Sequence, residues 1–157
     1  MKPITPCLWF DTEGEEAAEF YTSVFPNSGI VHISRYGSAG PRAEGTVMTV
    51  HFELNGQPFI ALNGGPDFTF NEAVSLEVIC EDQEEVDHYW ETLGDGGEEG
   101  PCGWLKDRYG LSWQIVPERM YELIKDPDRE KSQRAMAAML GMKKIVIAEL
   151  EQAAAAV

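Results

Sequence analysis

DTEGEEAAEFYTSVFPNSG (residues 11–29) and EDQEEVDHYWETLGDGG (residues 81–97) read as one local device written twice. In the first, Thr12 is a candidate helix cap, and Glu15, three residues on, is the reciprocal half of a capping box. Ala17, Phe20, Tyr21 and Val24 then recur at helical spacing, and Pro26, Asn27, Ser28 and Gly29 stop the helix. In the second, Asp82 and Glu85 supply the cap, Val86, Tyr89, Trp90 and Leu93 the stripe, and Gly96, Gly97 and Gly100 the stop. Ala17 corresponds to Val86, Phe20 to Tyr89, Tyr21 to Trp90 and Val24 to Leu93, all at one constant offset. Four such matches, with caps and stops in step, predict a duplicated strand–helix–strands module.

Working outward, residues 4–10 and 30–36 read as strands around the first helix, and residues 38–45 as a loop. Residues 46–54 alternate, with Val50, Phe52 and Leu54 on one face and Thr49, His51 and Glu53 on the other. Asn55-Gly56 is a strong hairpin signal, and residues 58–62 are the returning strand. The junction lies near residues 64–71. The second module offers strands at 74–80, 104–106 and 111–116, with a further short strand within 97–102. Asp107-Arg108-Tyr109-Gly110 is a turn. After Pro117 the pattern turns helical: residues 118–125, then a segment restarted by Asp126-Pro127 and stopped by Gly141, then residues 143–156.

The expected architecture is α+β: paired βαβββ modules forming a curved eight-stranded sheet, with a C-terminal helical tail. One domain spans 1–157, with module one about 1–65, module two about 70–117 and the tail 118–157.

A chain of 157 residues with 43% apolar and 25% charged residues can bury one core of ordinary size. Its net charge of −15 repels phosphate backbones and anionic lipid, which argues against nucleic-acid and membrane partners. The N-terminus shows no signal-peptide pattern and no stretch is long and apolar enough for a membrane span. Cys7, Cys80 and Cys102 are odd in number and form no CxxC pair, which fits reduced thiols in a cytoplasmic protein.

EEAAEFYTSVF after a strand resembles the opening of vicinal oxygen chelate proteins, the glyoxalase and bleomycin-resistance superfamily. GWLKDRYGLSWQIVP resembles the last hairpin of that fold. With FNEAVS, the CGW step and the tail ending KKIVIAELEQAA, the sequence resembles the PhnB-like branch. The resemblance implies a cup-shaped sheet enclosing a site, and a homodimer. It also implies four metal-ligand positions, which fall on Thr5, Ala61, Ser75 and Gln114. Ala61 has no donor atom, and hydroxyls are poor transition-metal ligands, so no metal and no cofactor are expected. Related chains are sometimes labelled demethylubiquinone methyltransferases. This sequence has no glycine-rich nucleotide loop, Walker motif, HExxH or GxSxG.

Strand parity supplies the expected pocket wall: Thr5, Cys7, Trp9, Phe59, Ala61, Asn63, Ser75, Glu77, Ser112 and Gln114, with Phe70 and Trp104 near the mouth. Trp9, Phe59, Glu77, Trp104 and Gln114 are expected to share one cavity. His51, Glu53 and Glu77 are the acid–base candidates. Against that stand a solvated strand face for His51 and Glu53 and a paired structural carboxylate for Glu77. Three functions remain open: a metal-free small-molecule binder, an enzyme with a rearranged or metal-free site acting on a small oxygenated substrate, and a structural dimer assembled through its tail. The dimer rests on Met136, Met139, Leu140, Ile145, Ile147 and Leu150, an apolar excess in the tail.

Overall fold

The computed structural model describes residues 1–157, in two units, Met1–Phe70 and Asn71–Val157. The first runs β1 (Cys7–Phe10), α1 (Gly14–Val24), β2 (Gly29–Arg35), β3 (Val47–Leu54) and β4 (Gln57–Asn63). The second begins β5 (Ser75–Cys80), α2 (Gln83–Gly94), β6 (Glu98–Glu99), β7 (Trp104–Lys106) and β8 (Ser112–Pro117). The duplication extends to the pairing. The strand orders are β1-β4-β3-β2 and β5-β8-β7-β6, and the outer pairs β1·β4 and β5·β8 are parallel. The eight strands therefore form two four-stranded sheets, where one curved eight-stranded sheet was expected.

In the first unit, Leu8, Phe10, Val50, Phe52, Phe59 and Ala61 are buried, as are Ala17, Ala18 and Tyr21 of α1. The rings of Phe52 and Phe59 stack at 5.5 Å, and Tyr21 lies 6.4 Å from Phe52. Alternation predicted this face because every second residue of a strand points the same way. The Asn55-Gly56 hairpin is present, with both residues at positive φ, 47° and 80°. This is the primed turn whose twist suits the flanking strands.

The expected capping box at Thr12 is absent. α1 starts at Gly14 after Glu13, and no side chain of that segment caps it. The Gly14 N–H instead donates to Asn63 Oδ1 at 2.7 Å, a cap delivered from β4. A Cβ on Gly14 would come within 2.6 Å of that oxygen, so the position needs glycine. The second capping box forms: Asp82 Oδ1 accepts from the Glu85 N–H at 2.9 Å, and Glu85 Oε2 accepts from the Glu81 N–H at 2.8 Å. Val86, Trp90 and Leu93 are buried, and Tyr89 is only partly so.

The turn before β8 is built on Asp107, which is 3% exposed. Its Oδ1 accepts from the Tyr109 and Leu111 N–H groups, and its Oδ2 accepts from Trp113 Nε1 at 2.9 Å. The tail forms α3 (Glu118–Ile124), α4 (Arg129–Leu140) and α5 (Ile147–Ala155). Asp128, not the Asp126-Pro127 step, caps α4 by accepting from the Glu130 and Lys131 N–H groups. The last helix begins at Ile147, later than expected, because the preceding chain runs alongside other elements. Gly103 N–H donates to Lys143 O, and Gln83 bonds both Ile145 O and the Ile147 N–H.

Val116, Met120, Leu123, Ala135, Ile145, Leu150 and Ala154 make one buried cluster, with Met139 packed against it. Two residues offered as dimer-forming surplus, Ile145 and Leu150, are thus consumed within the unit. Leu140 stays 62% exposed. No helix is long and apolar enough to cross a membrane.

Candidate functional site

Each sheet has one face covered by its helix and one that is not. In the first unit the register pairs Cys7 with Ile60, Trp9 with Leu62, and Leu62 with Thr49. Laterally paired residues share a face, so Cys7, Trp9, Thr49, His51 and Glu53 lie with Pro58, Ile60 and Leu62. Phe59, Ala61 and Asn63 lie on the other face, beneath α1, at 7%, 1% and 6% exposure. Placing them beside Trp9 was a slip of one residue, which reverses every side chain on a strand. The first-module carry-over of the metal position at Ala61 fails with it. The neighbours that do share the face of Trp9, Ile60 and Leu62, are hydrocarbon and cannot ligate.

Thr5 precedes β1, and Cys7 is exposed. Trp9 is held rather than free: its Nε1 donates to Gly65 O at 2.9 Å, and its ring meets Phe68 edge-on at 4.9 Å. Phe70, expected near the mouth, meets Phe10 edge-on at 5.2 Å. His51 and Glu53 are both exposed, and the rings of His51 and His32 are 6.3 Å apart. Asn63 serves structure. Besides capping α1, it donates from Nδ2 to Val47 O at 3.3 Å, and its carbonyl accepts from the Tyr36 hydroxyl at 2.6 Å.

In the second unit the parity reading and the register agree. Ser75 pairs with Ser112, Glu77 with Gln114, and Gln114 with Trp104. Ser75, Glu77, Trp104, Ser112 and Gln114 thus share the face opposite Leu76, Val78, Leu105, Trp113 and Ile115. Gln114 Nε2 donates to Ser75 Oγ at 2.9 Å. That bond occupies two of the transferred ligand positions with each other. An amide and a hydroxyl form a donor set that does not fit a transition metal. No group of three or more His, Cys, Asp or Glu side chains anywhere in the chain is placed to hold an ion.

Glu77 was expected in a central strand, but β5 is the edge of its sheet and Glu77 is exposed. Its Oε2 accepts from the Tyr121 hydroxyl at 2.5 Å. That bond, more than burial, pushes the Tyr121 phenol up to about 12, because ionising it would set two anions side by side. Tyr121 carries no motif, and nothing in the sequence placed α3 against β5. Cys80 is a buried thiol pushed up to about 12, by burial first and then by Glu85 and Asp82, so it is a poor nucleophile.

Two cavities lie within the units. One of about 690 Å³ in the first is lined by Thr12, Glu15, Arg35, Arg42 and Thr46, and of the expected wall only Asn63 reaches it. One of about 420 Å³ in the second is lined by Glu72, Pro101, Cys102, Trp104, Lys106 and Ser112, among others. It contains two expected wall residues, Trp104 and Ser112. Trp9 and Gln114 belong to different units.

A family model described as 3-demethylubiquinone-9 3-methyltransferase matches residues 2–116. The chain belongs to that family. It is a PhnB-like member of the vicinal oxygen chelate superfamily. Among solved structures, a putative 3-demethylubiquinone-9 3-methyltransferase, PhnB protein, from Bacillus cereus is 42% identical. That likeness covers 74% of this chain and 99% of the other, with a TM-score of 0.66. A protein from Pseudomonas aeruginosa is similar at 17% identity, covering 75% and 98% of the two chains with a TM-score of 0.63. A fosfomycin resistance protein from Listeria monocytogenes is similar at 15% identity, covering 80% and 98% with a TM-score of 0.56. The last two likenesses show the fold alone. No curated protein matches the chain. In this PhnB-like chain the matched stretch ends at residue 116, within β8, so the three-helix tail lies beyond it.

Proposed function

We propose that this PhnB-like protein is a cytoplasmic small-molecule-binding protein that works without the metal site implied by its superfamily. The observation that carries the reading is the face of the second unit's sheet that points away from α2. There Ser75, Glu77, Trp104, Ser112 and Gln114 stand together, next to a cavity of about 420 Å³. An aromatic wall with a few fixed polar groups suits a small ligand. Ser75 and Gln114 supply a hydroxyl and an amide, which suits hydrogen bonding better than Lewis-acid chemistry. The whole chain is read as one vicinal oxygen chelate-type domain acting as a homodimer, since β2 and β6 end their sheets as open edges.

The test is thermal melting of metal-free protein across a metabolite panel. A ligand that binds only the folded state raises the midpoint. A flat panel would refute the reading. Light scattering at micromolar concentration is expected to give twice the 17.5 kDa chain mass.

The second reading is an enzyme acting on a small oxygenated substrate, and the Tyr121–Glu77 contact favours it specifically. A phenol donating to an exposed carboxylate is a proton-transfer pair at a sheet edge. Methyl transfer, named in the family's description, draws no support from the residues. β1 enters α1 through one glycine, Gly14, whose N–H is already taken by Asn63.

A further inference from the structure

We infer that the cleft of the second unit takes a small, flat, neutral or cationic molecule and rejects anions, with Ser112 and Trp104 as its recognition residues. The inference rests on the binding reading above and names the ligand class of that same face.

The first observation is an unpaired group. Ser112 is 1% exposed, lines the cleft, and its Oγ has no hydrogen-bond partner. It is the one buried side-chain polar atom of the chain left so. A buried hydroxyl without a partner costs about 1–3 kcal/mol, and native proteins rarely keep one without a use. A ligand polar atom reaching Oγ removes that cost, so the hydroxyl favours the bound state.

The second observation is access. Lys106 sits directly across the β7–β8 pair from Ser112. Its side chain is 37% exposed, and it is salt-bridged to Glu72, which is 60% exposed. A solvent-exposed ion pair is weak and yields cheaply. Lys106 is thus a movable wall over Ser112.

The third observation is charge. Glu72, Glu98 and Glu99 line the cleft; Lys106 is salt-bridged to Glu72, and Lys143 lies 3.9 Å from Glu99, which also accepts from Trp90 Nε1. The Glu72 carboxyl is held below the usual carboxylate range, first by its hydrogen bond from Lys106, so it stays anionic. An incoming carboxylate or phosphonate meets the further carboxylate of Glu98 and finds both nearby ammonium groups, Lys106 and Lys143, already engaged by Glu72 and Glu99. An ammonium or a neutral ring meets a favourable field, with the Trp104 face available for stacking or cation–π contact.

The wall behind the cleft is fixed. Cys102 stands at φ 58° and its N–H donates to Met142 O at 2.8 Å, while Gly103 N–H donates to Lys143 O at 2.8 Å. The adjustable parts are therefore Trp104 and Lys106.

The experiment titrates full-length protein with phenethylamine, 2-phenylethanol and phenylacetate, one ring carrying three charge states. It follows the Trp104 indole N–H by NMR, assigned through Trp104→Phe. The amine and the alcohol are expected to shift that signal, and phenylacetate to bind at least about tenfold more weakly. Ser112→Ala is expected to weaken the alcohol about fivefold without lowering the melting midpoint, since it deletes an unpaired group. Glu98→Gln should narrow the gap between amine and carboxylate. Equal or tighter binding of phenylacetate overturns the inference, as does unchanged affinity in Ser112→Ala or a Trp104 signal that none of the three probes moves. If a metabolite from the melting panel still stabilises the protein in those cases, the binding reading stands and only this inference is lost. If the panel is flat as well, both fall.

Discussion

The Tyr121 hydroxyl donates to Glu77 Oε2 at 2.5 Å, joining the first helix after the sheet to the sheet's outer strand. The contact spans 44 residues of sequence and occupies the one acid–base candidate of the second unit. It makes the ionisation of Tyr121 depend on its bond to a carboxylate.

Tyr121 should therefore titrate late. Its phenol is pushed up to about 12, first by the Glu77 bond. Burial also raises Tyr89, with help from Glu85 and Cys80. Ultraviolet titration is expected to show a late group that includes Tyr121 and Tyr89. Glu77→Gln should remove one member of that late group. The sign follows from linkage: the folded value lies above the unfolded one. The contribution is complete below about pH 10 and is lost as pH rises toward about 12. A Tyr121 that titrates with the others would dismiss the bond.

Asp107→Ala is expected to cost about 2–4 kcal/mol, read from chemical denaturation, because it strands buried donors that have no water to turn to. Trp113 Nε1 and the Tyr109 and Leu111 N–H groups all lose their acceptor. Asp107→Asn retains one acceptor oxygen and should lose less. A loss below about 1 kcal/mol in Asp107→Ala would mean that water replaces the carboxylate.

What the sequence made legible was periodic. Val50, Phe52 and Leu54 alternate, the stripes at Ala17 and Val86 repeat, and Asn55-Gly56 permits only a narrow range of turns, so the succession of elements along both modules could be read. Face assignment within one strand was harder. Residues 58–62 carry apolar side chains on both faces, so alternation could not say whether Ala61 or its neighbours Ile60 and Leu62 faced outward. In the second unit Glu77 and Gln114 broke the apolar run and fixed the parity. Contacts at long separation left no local trace: the cap of Gly14 by Asn63, the hold of Gly65 on Trp9, and Tyr121 on Glu77. The pairing of Asp82 with Glu85 was legible because both partners sit within one turn, whereas Thr12 matched the same pattern and lost to Asn63.

That competition can be measured. Asn63→Ala should destabilise the protein by about 1–2 kcal/mol, since it removes the cap of α1 and the bond to Val47 O together. Gly14→Ala should be destabilising as well, because its Cβ would stand 2.6 Å from Asn63 Oδ1. The double variant should lose less than the sum, as removing the amide opens space for the methyl. Strict additivity in this cycle would count against a direct contact.

Gln83 makes the corresponding long-range clasp in the second unit. Its Nε2 donates to Ile145 O at 3.0 Å and its Oε1 accepts from the Ile147 N–H at 2.8 Å, so one amide satisfies both groups where the chain enters α5. The Ile147 N–H has no intrahelical partner at that end of a helix, and Ile145 O lies outside it. Gln83→Ala should therefore cost about 1–3 kcal/mol and speed hydrogen exchange at Ile147 more than at Leu150, which sits deeper in the helix. Gln83→Glu separates the two bonds. It keeps an acceptor for Ile147 but turns the donor into a carboxylate oxygen facing both Ile145 O and the Asp87 carboxylate that Gln83 Nε2 also bonds at 3.0 Å. Its loss should exceed that of Gln83→Ala at neutral pH and shrink as the new carboxyl is protonated in acid. If exchange at Ile147 is unchanged in both variants, α5 is anchored by the buried Ile145 and Leu150 alone, and the amide clasp contributes nothing.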